Sequence, residues 1–327
     1  MILKQKFPWS KLLFTFRHTS LQRSGERILA ATGVAIIVTV IEVMTDVKTY
    51  TLTAIPFTIM GVAISIFLGF RNNTAYDRFW EGRILWGQLV NVSRSFARQI
   101  ITLVVKQPAS LQERELDKLG KDGVAVPEPY MAFQQELVRM IIAHVHSLRH
   151  LLRDTTPDEE LKKYLSKQDL DWLNEQPNVT LGLLQRMGEK IQHAWQKGWI
   201  HDFHLPVLEA SLTEITAIQG GCERIKNTPF PVTYVILGHR IVAFFCFFLP
   251  FGIVDTAGVL TPLVVFLVSL AFFGLDAIGE EIEDPFGTEP HHLPLSALCT
   301  TIERNLLGFL QQKNLPAPAE PVDNVLI

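Results

Sequence analysis

Apolar positions along this chain gather into runs rather than spreading evenly. Leu52 to Phe70 reads LTAIPFTIMGVAISIFLGF without one charged residue, and a helix rising 1.5 Å per residue over that length crosses about 30 Å of hydrocarbon. Ile28 to Met44 (ILAATGVAIIVTVIEVM) is nearly as long, and its single charge, Glu42, stands near one end where it can reach the interface. Pro231 to Val254 and Ala257 to Leu275 make a second such pair, a hairpin with only Asp255-Thr256 between the two runs. His239 and Arg240 intrude on the third run, with Arg240 near enough to its N-terminal half to snorkel. The pattern predicts four membrane-crossing helices. A soluble all-helical protein with unusually apolar buried helices is the alternative, and uncharged runs of spanning length argue against it.

Between the second and third runs the pattern changes to amphipathic. Phe79, Leu85, Leu89, Val92 and Phe96 keep three-to-four spacing, and Met131 to Leu152 repeats it, the two separated by Lys106-Gln107-Pro108 and the charged stretch from Gln112 to Pro129. Asp158-Glu159-Glu160 after Pro157 opens a short helix with acids at its positive end. Leu181–Trp199 and Leu205–Arg224 read as two more helices, and Gly220-Gly221 marks a kink or a close helix contact in the second. Strand-like alternation is nearly absent. The expected organisation is a cytosolic arm at 1–27, a helix pair at 28–70, a helical cytosolic domain at 71–230, a second pair at 231–275, a cytosolic segment at 276–313 and a Pro-rich flexible tail at 314–327.

Charge sets the orientation. The N-terminal arm carries Lys4, Lys6, Lys11, Arg17, Arg23 and Arg27, whereas the turn after the first run offers Lys48 alone and the turn near Asp255 no Lys or Arg. By the positive-inside rule both termini and the middle domain are cytoplasmic. The first run begins too far in for an ordinary signal peptide and is expected to stay in the mature chain. Over all 327 residues, 30 Lys+Arg against 33 Asp+Glu give a net charge of -3, so no basic field is available for nucleic acid. Charged residues at 19% and a positive mean hydropathy of +0.20 fit a membrane protein and exclude disorder. Cys222, Cys246 and Cys299 are too scattered for a disulfide framework or a thiolate metal site.

Candidate chemistry is sparse. His144, His146 and His150 share one predicted helix but not one face, which weakens a metal reading. No nucleophile-elbow, Walker, dinucleotide or His-Glu-x-x-His motif occurs in a fitting context, so the sequence points away from an enzyme. The acidic run Glu280-Glu281-Ile282-Glu283-Asp284 reads most simply as a solvated face, with cation attraction as the other option. On the second run Val62, Ile66 and Phe70 stand at i, i+4 and i+8 beside Gly61, Ala63, Ser65 and Gly69. That stripe suits a hydrophobic constriction, and equally lipid contact or packing, because every face of the run is apolar.

Three motifs carry a family resemblance: IFLGFRNNTAYDRFWEGRILWG from Ile66 to Gly87, GGCERI at Gly220 followed by Thr228-Pro229, and EEIEDPFGTEPHHLPL at Glu280 followed by TIERNLL at Thr301. In this order and spacing they resemble a prokaryotic bestrophin homologue over nearly the whole chain. The resemblance implies an all-α polytopic membrane protein, four transmembrane helices per subunit, assembled as a homopentamer around one central pore. It implies a neck at Val62, Ile66 and Phe70, with Val62 smaller than the isoleucine common there. Aligning Pro177 implies a cytosolic aperture at Leu181, with Thr180 beside it. The calcium clasp of animal relatives is only partly matched, by Asp284 and Glu289, so calcium gating is not expected and no cofactor is implied. The expected permeant ions are monovalent cations such as sodium, on the bacterial character of the motifs and the net negative charge. Chloride is the alternative, and a solute carrier or membrane sensor a further one.

Overall fold

The computed structural model describes residues 20–45, 53–105, 129–322 and 325–326. The arm residues before Ser20, Lys48 and the break after Val105 lie outside that range. Ten α-helices occur among the described residues: α1 (Ser20–Thr45), α2 (Ala54–Leu103), α3 (Pro129–Leu152), α4 (Asp158–Tyr164), α5 (Lys167–Asn174), α6 (Val179–Gln196), α7 (Leu205–Asn227), α8 (Val232–Ala257), α9 (Thr261–Glu283) and α10 (Leu295–Phe309). No strand is present among them beyond two isolated bridges. The chain forms two compact units. One holds residues up to 81, 228–285 and 289–292, and the other holds 82–227, 286–288 and 293 onward. The apolar run and the amphipathic run after it are a single uninterrupted helix, α2, because no proline or glycine pair stands between Phe70 and Phe96.

The first unit is built from α1, the opening part of α2, α8 and α9. By length and composition three stretches are apolar enough to cross a membrane: Arg23–Glu42, Ala54–Leu103 and Val232–Glu283. The third is not one rod. A 3-10 turn at Gly258–Leu260 divides it, and Phe245 packs edge-on against Phe272 at 5.2 Å between ring centres, so α8 and α9 fold back on each other. The sequence pattern expects the reversal at Asp255-Thr256, but both residues continue α8 and the turn begins three residues later. Gly258 takes φ +52 there, a conformation that a side chain would oppose. Pro262 then sits in the first turn of α9, where its missing N–H costs nothing.

The core of this unit is a contiguous set: Ile28, Ala31 and Ala35 of α1, Ile64 and Leu68 of α2, Val242 and Phe245 of α8, and Val265 and Phe273 of α9. Small residues on α1 bring its backbone close to its partners. Two hydroxyls in these apolar helices bond back within their own turn, Thr39 to the Ala35 carbonyl at 2.7 Å and Ser65 to that of Gly61 at 2.7 Å. Pro56 falls in the first turn of α2, where backbone N–H groups have no intrahelical acceptor. The outward faces are apolar as well, with Leu29, Ile37, Phe244 and Leu263 more than half exposed. Such a surface is stable against lipid and costly against water.

Inside this unit one cluster of charges is buried. The Arg71 guanidinium, with none of its side chain exposed, donates to Asp276 at 2.5 Å and stands 3.6 Å from Glu283. His239, one of the two polar residues that intrude on the third run, meets the other Asp276 oxygen at 2.5 Å. Asn72 donates to the Leu275 carbonyl at 3.0 Å, and Arg78 donates to the carbonyls of Glu283 and Thr228 at 3.1 and 2.6 Å. The acidic run is therefore not a wholly solvated face. Glu281 is buried and pairs with His291 at 3.3 Å, and Glu283 faces Arg71, because α9 turns these positions inward.

The second unit is a helical assembly around α3, whose residues from Leu137 to Leu148 are buried apart from Arg139. Trp86, Leu89, Phe96 and Ile100 of α2 and Leu183, Met187 and Ile191 of α6 add to its core. Helix α5 has no apolar period to announce it. Its signal is local: Ser166 caps it by accepting from the Asp169 N–H while its hydroxyl donates to the Asp169 carboxylate at 2.6 Å. The double glycine of α7 marks a contact rather than a break, since a Cβ on Gly221 would sit 3.0 Å from two Leu85 methyls. Glu303 of α10 is the polar centre, accepting from His146 at 3.0 Å, Lys163 at 2.8 Å and the Tyr164 hydroxyl.

Burial opposes the charge on Glu303, but the three donors outweigh it and hold its carboxyl down to about 2, against an ordinary value of 4.5. A lowered carboxylate contributes stability that is complete above the ordinary value and disappears as pH falls from about 4.5 towards about 2. Glu303→Gln should flatten that acid limb in a pH series of thermal melts on detergent-purified protein, while the wild type loses stability across it. In the first unit, Asp276→Asn should cost about 3–5 kcal/mol because it strands the Arg71 charge. The double substitution Arg71→Met with Asp276→Leu should cost less than the sum of the singles, measured as a double-mutant cycle by denaturant unfolding.

Candidate functional site

The stripe Val62, Ile66 and Phe70 lies on the uncovered side of α2, with exposures of 57%, 55% and 67%. Ile64, Leu68, Arg71 and Ala75 take the opposite, buried side. A helical wheel of the sequence cannot choose among apolar faces, but the folded unit does, since only one face can pack against α8 and α9. Ile55 and Ile59 extend the uncovered stripe by two turns. No side chain of the stripe carries a charge, so the face can exclude water, guide an ion only through dipoles, or meet lipid or another chain.

Arg71, next in sequence to Phe70, sets the rotation of α2. Its bond to Asp276, with Asn72 and Arg78 tied to neighbouring carbonyls, holds the helix so that the stripe stays outward. These anchors belong to the RNNTAYDR part of the first motif, where no local pattern discloses their role. The available signal was a His at 239 and an Asp at 276 bordering otherwise apolar runs, where ionised groups persist only with partners.

The second candidate position lies in the other unit. Asn178 caps α6 by accepting from the Leu181 N–H at 3.0 Å. Leu181 is 48% exposed, whereas its neighbour Thr180 is buried. The Thr180 hydroxyl meets Ser147 at 2.7 Å, and its carbonyl accepts from His144 Nδ1 at 3.2 Å. Burial pushes the His144 imidazole down to about 4, so at neutral pH it is uncharged and serves as a donor that fixes the start of α6. The three histidines of α3 go to separate partners: His144 to Thr180, His146 to Glu303 and His150 to Glu160.

The partial acidic motif reads differently at each end. Asp284 is exposed and terminates α9 in an extended conformation. The Glu289 carboxylate pairs with Arg23 at 3.2 Å, both side chains being about half exposed. Among the described residues no grouping of three or more His, Cys, Asp or Glu is placed to hold a metal ion.

Comparison with known proteins bears on what this architecture does. Residues 1–308 match the model of the family described as Bacterial/Fungal Bestrophin protein. The chain is 35% identical over 321 residues, covering 98% of both sequences, to the voltage-dependent anion channel-forming protein YneE of Escherichia coli (strain K12). It is 32% identical over 311 residues to a voltage-dependent anion channel-forming protein of Ralstonia nicotianae, covering 94% of this chain and 95% of that one. Among solved structures, a bacterial bestrophin homologue from Klebsiella pneumoniae superposes with a TM-score of 0.76 at 33% identity, over 88% of this chain and 98% of that one. The all-helical fold, the buried anchors behind an uncovered apolar stripe and these matches lead to one conclusion: the chain belongs to the bacterial and fungal bestrophin family of membrane proteins, which are ion channels and not enzymes.

Proposed function

We propose that the protein is a homopentameric channel for small monovalent ions, with α1, the first part of α2, α8 and α9 crossing the inner membrane and both termini in the cytoplasm. The observation that carries this reading is the uncovered stripe Val62, Ile66 and Phe70, anchored from behind by Arg71. Five such stripes facing one axis make a narrow apolar neck in which conduction is governed by the width and wetting of the ring. Leu181, at the capped start of α6, forms the second constriction in this reading, held in place by the buried Thr180.

The expectation of cations gives way here to the anion alternative, with chloride as the reference ion. Support comes from the curated relatives, which are named anion channel-forming proteins. The net charge of -3 is a poor guide to the field at the neck, because many acids it counts are neutralised locally. Asp276 is paired with Arg71, Glu303 with Lys163 and Asp169 with Arg186. At the neck itself the partial charges of helix and ring dominate, and the positive edge of an aromatic ring such as Phe70 suits an anion.

Purified protein in a planar bilayer under an asymmetric sodium chloride gradient should reverse near the chloride equilibrium potential. Reversal near the sodium potential would reinstate the cation reading, and absence of current from correctly assembled pentamers would reject the channel. Ile66→Ala in the same bilayers should widen the neck and raise single-channel conductance, and an unchanged conductance would remove Ile66 from the pore.

A further inference from the structure

We propose that the second unit holds a binding site for a small organic anion, in the open cleft lined by α3, α4, α10 and the segment after α10. The cavity measures about 410 Å³, within the range of small-molecule sites and far larger than a dehydrated halide needs. Its polar lining holds two cations, Arg139 and Lys163, with the Tyr164 hydroxyl and the amides of Gln312 and Asn314. Among the described residues no carboxylate lines it. Leu307, Leu315 and Pro316 supply an apolar wall.

The charge balance favours an anion. Glu303 lies behind the wall with both oxygens engaged, Oε1 accepting from Lys163 and Tyr164 and Oε2 from His146. It therefore offsets one of the two cations at the cavity. Arg139 is left with no ion-pair partner among the described residues, although it is half-buried and interrupts the otherwise buried row of α3. A guanidinium in that setting gains most from a carboxylate or phosphate that it can grip with two N–H groups.

The fourth wall is fastened rather than draped. After α10 the chain reverses at Gln311, whose φ is +56, and the Gln312 N–H donates to the Leu307 carbonyl at 3.1 Å. Further on, Arg304 donates to the Pro316 carbonyl and ties the segment down at its far side. Composition reads the chain from residue 314 as a Pro-rich tail; its described residues Asn314, Leu315 and Pro316 line a cleft whose chemistry fits one anionic head group on a short apolar body.

The test uses full-length protein in detergent and isothermal titration with benzoate and inorganic phosphate, with benzamide as the uncharged twin of benzoate. Saturable binding of either anion, absent with benzamide and weakened about tenfold or more in Arg139→Gln, supports the site. Asn314→Trp, which fills the cavity from its mobile-length side chain outward, should abolish the same binding. Thermal melts should show both variants folded as the wild type is, since neither substitution removes an ion pair seen here. No saturable uptake of either anion, equal binding of benzamide, or unchanged affinity in both variants would overturn the proposal. None of these outcomes depends on conductance, so the site and the channel stand or fall separately.

Discussion

A single buried ion pair governs the first unit. Arg71 and Asp276 are both removed from solvent, and neither is tolerable there without the other. A rotation of α2 by one residue, 100° about its axis, would pull Arg71 off Asp276 and drive part of the exposed stripe into the core. Apolar packing alone would resist such a rotation weakly, because every face of this part of α2 is apolar. The pair supplies what the hydrophobic effect lacks here, a direction. His239 on α8 joins the same carboxylate and Arg27 on α1 stands 4.0 Å from it, so four helices meet at one charge.

The two units solve the problem of buried polarity in the same manner with different parts. In the first, charge is concentrated at Asp276, and the Thr39 and Ser65 hydroxyls bond back to their own helices. In the second, Glu303 gathers His146, Lys163 and Tyr164, and Asp169 gathers Ser166, Arg186 and Lys190. Each carboxylate is met by donors from at least one other helix, and each helps select one packing arrangement among many that similar apolar surfaces would allow. The summed charge of the chain consequently says little about the field at any one place, which is why a net charge misleads about ion preference.

Much of the site was legible in residue order. The spacing of Val62, Ile66 and Phe70 placed them on one stripe, and the glycine pair at Gly220-Gly221 marked a kink or a close contact, the latter being what Leu85 makes with Gly221. The anchors behind the stripe were not legible, because Arg71 and Asp276 are 205 positions apart and no local period connects them. The same holds for Glu303 and His146, separated by 157 positions. Helix α5 escaped because it is short and its only mark is a side-chain cap.

The sequence by itself determined the class of this protein: uncharged runs long enough for a bilayer, amphipathic helices between them, and motifs spaced as in one family. Those properties depend on neighbours a few residues apart, where helical geometry converts order directly into faces. The tertiary structure decided which face of α2 is left uncovered, where the α8–α9 reversal falls, which acids are neutralised and how the C-terminal segment comes to line a cleft beside Arg139 and Lys163. Each of these is set by partners far away in the chain, and only folding brings them within the few ångströms over which hydrogen bonds and ion pairs act.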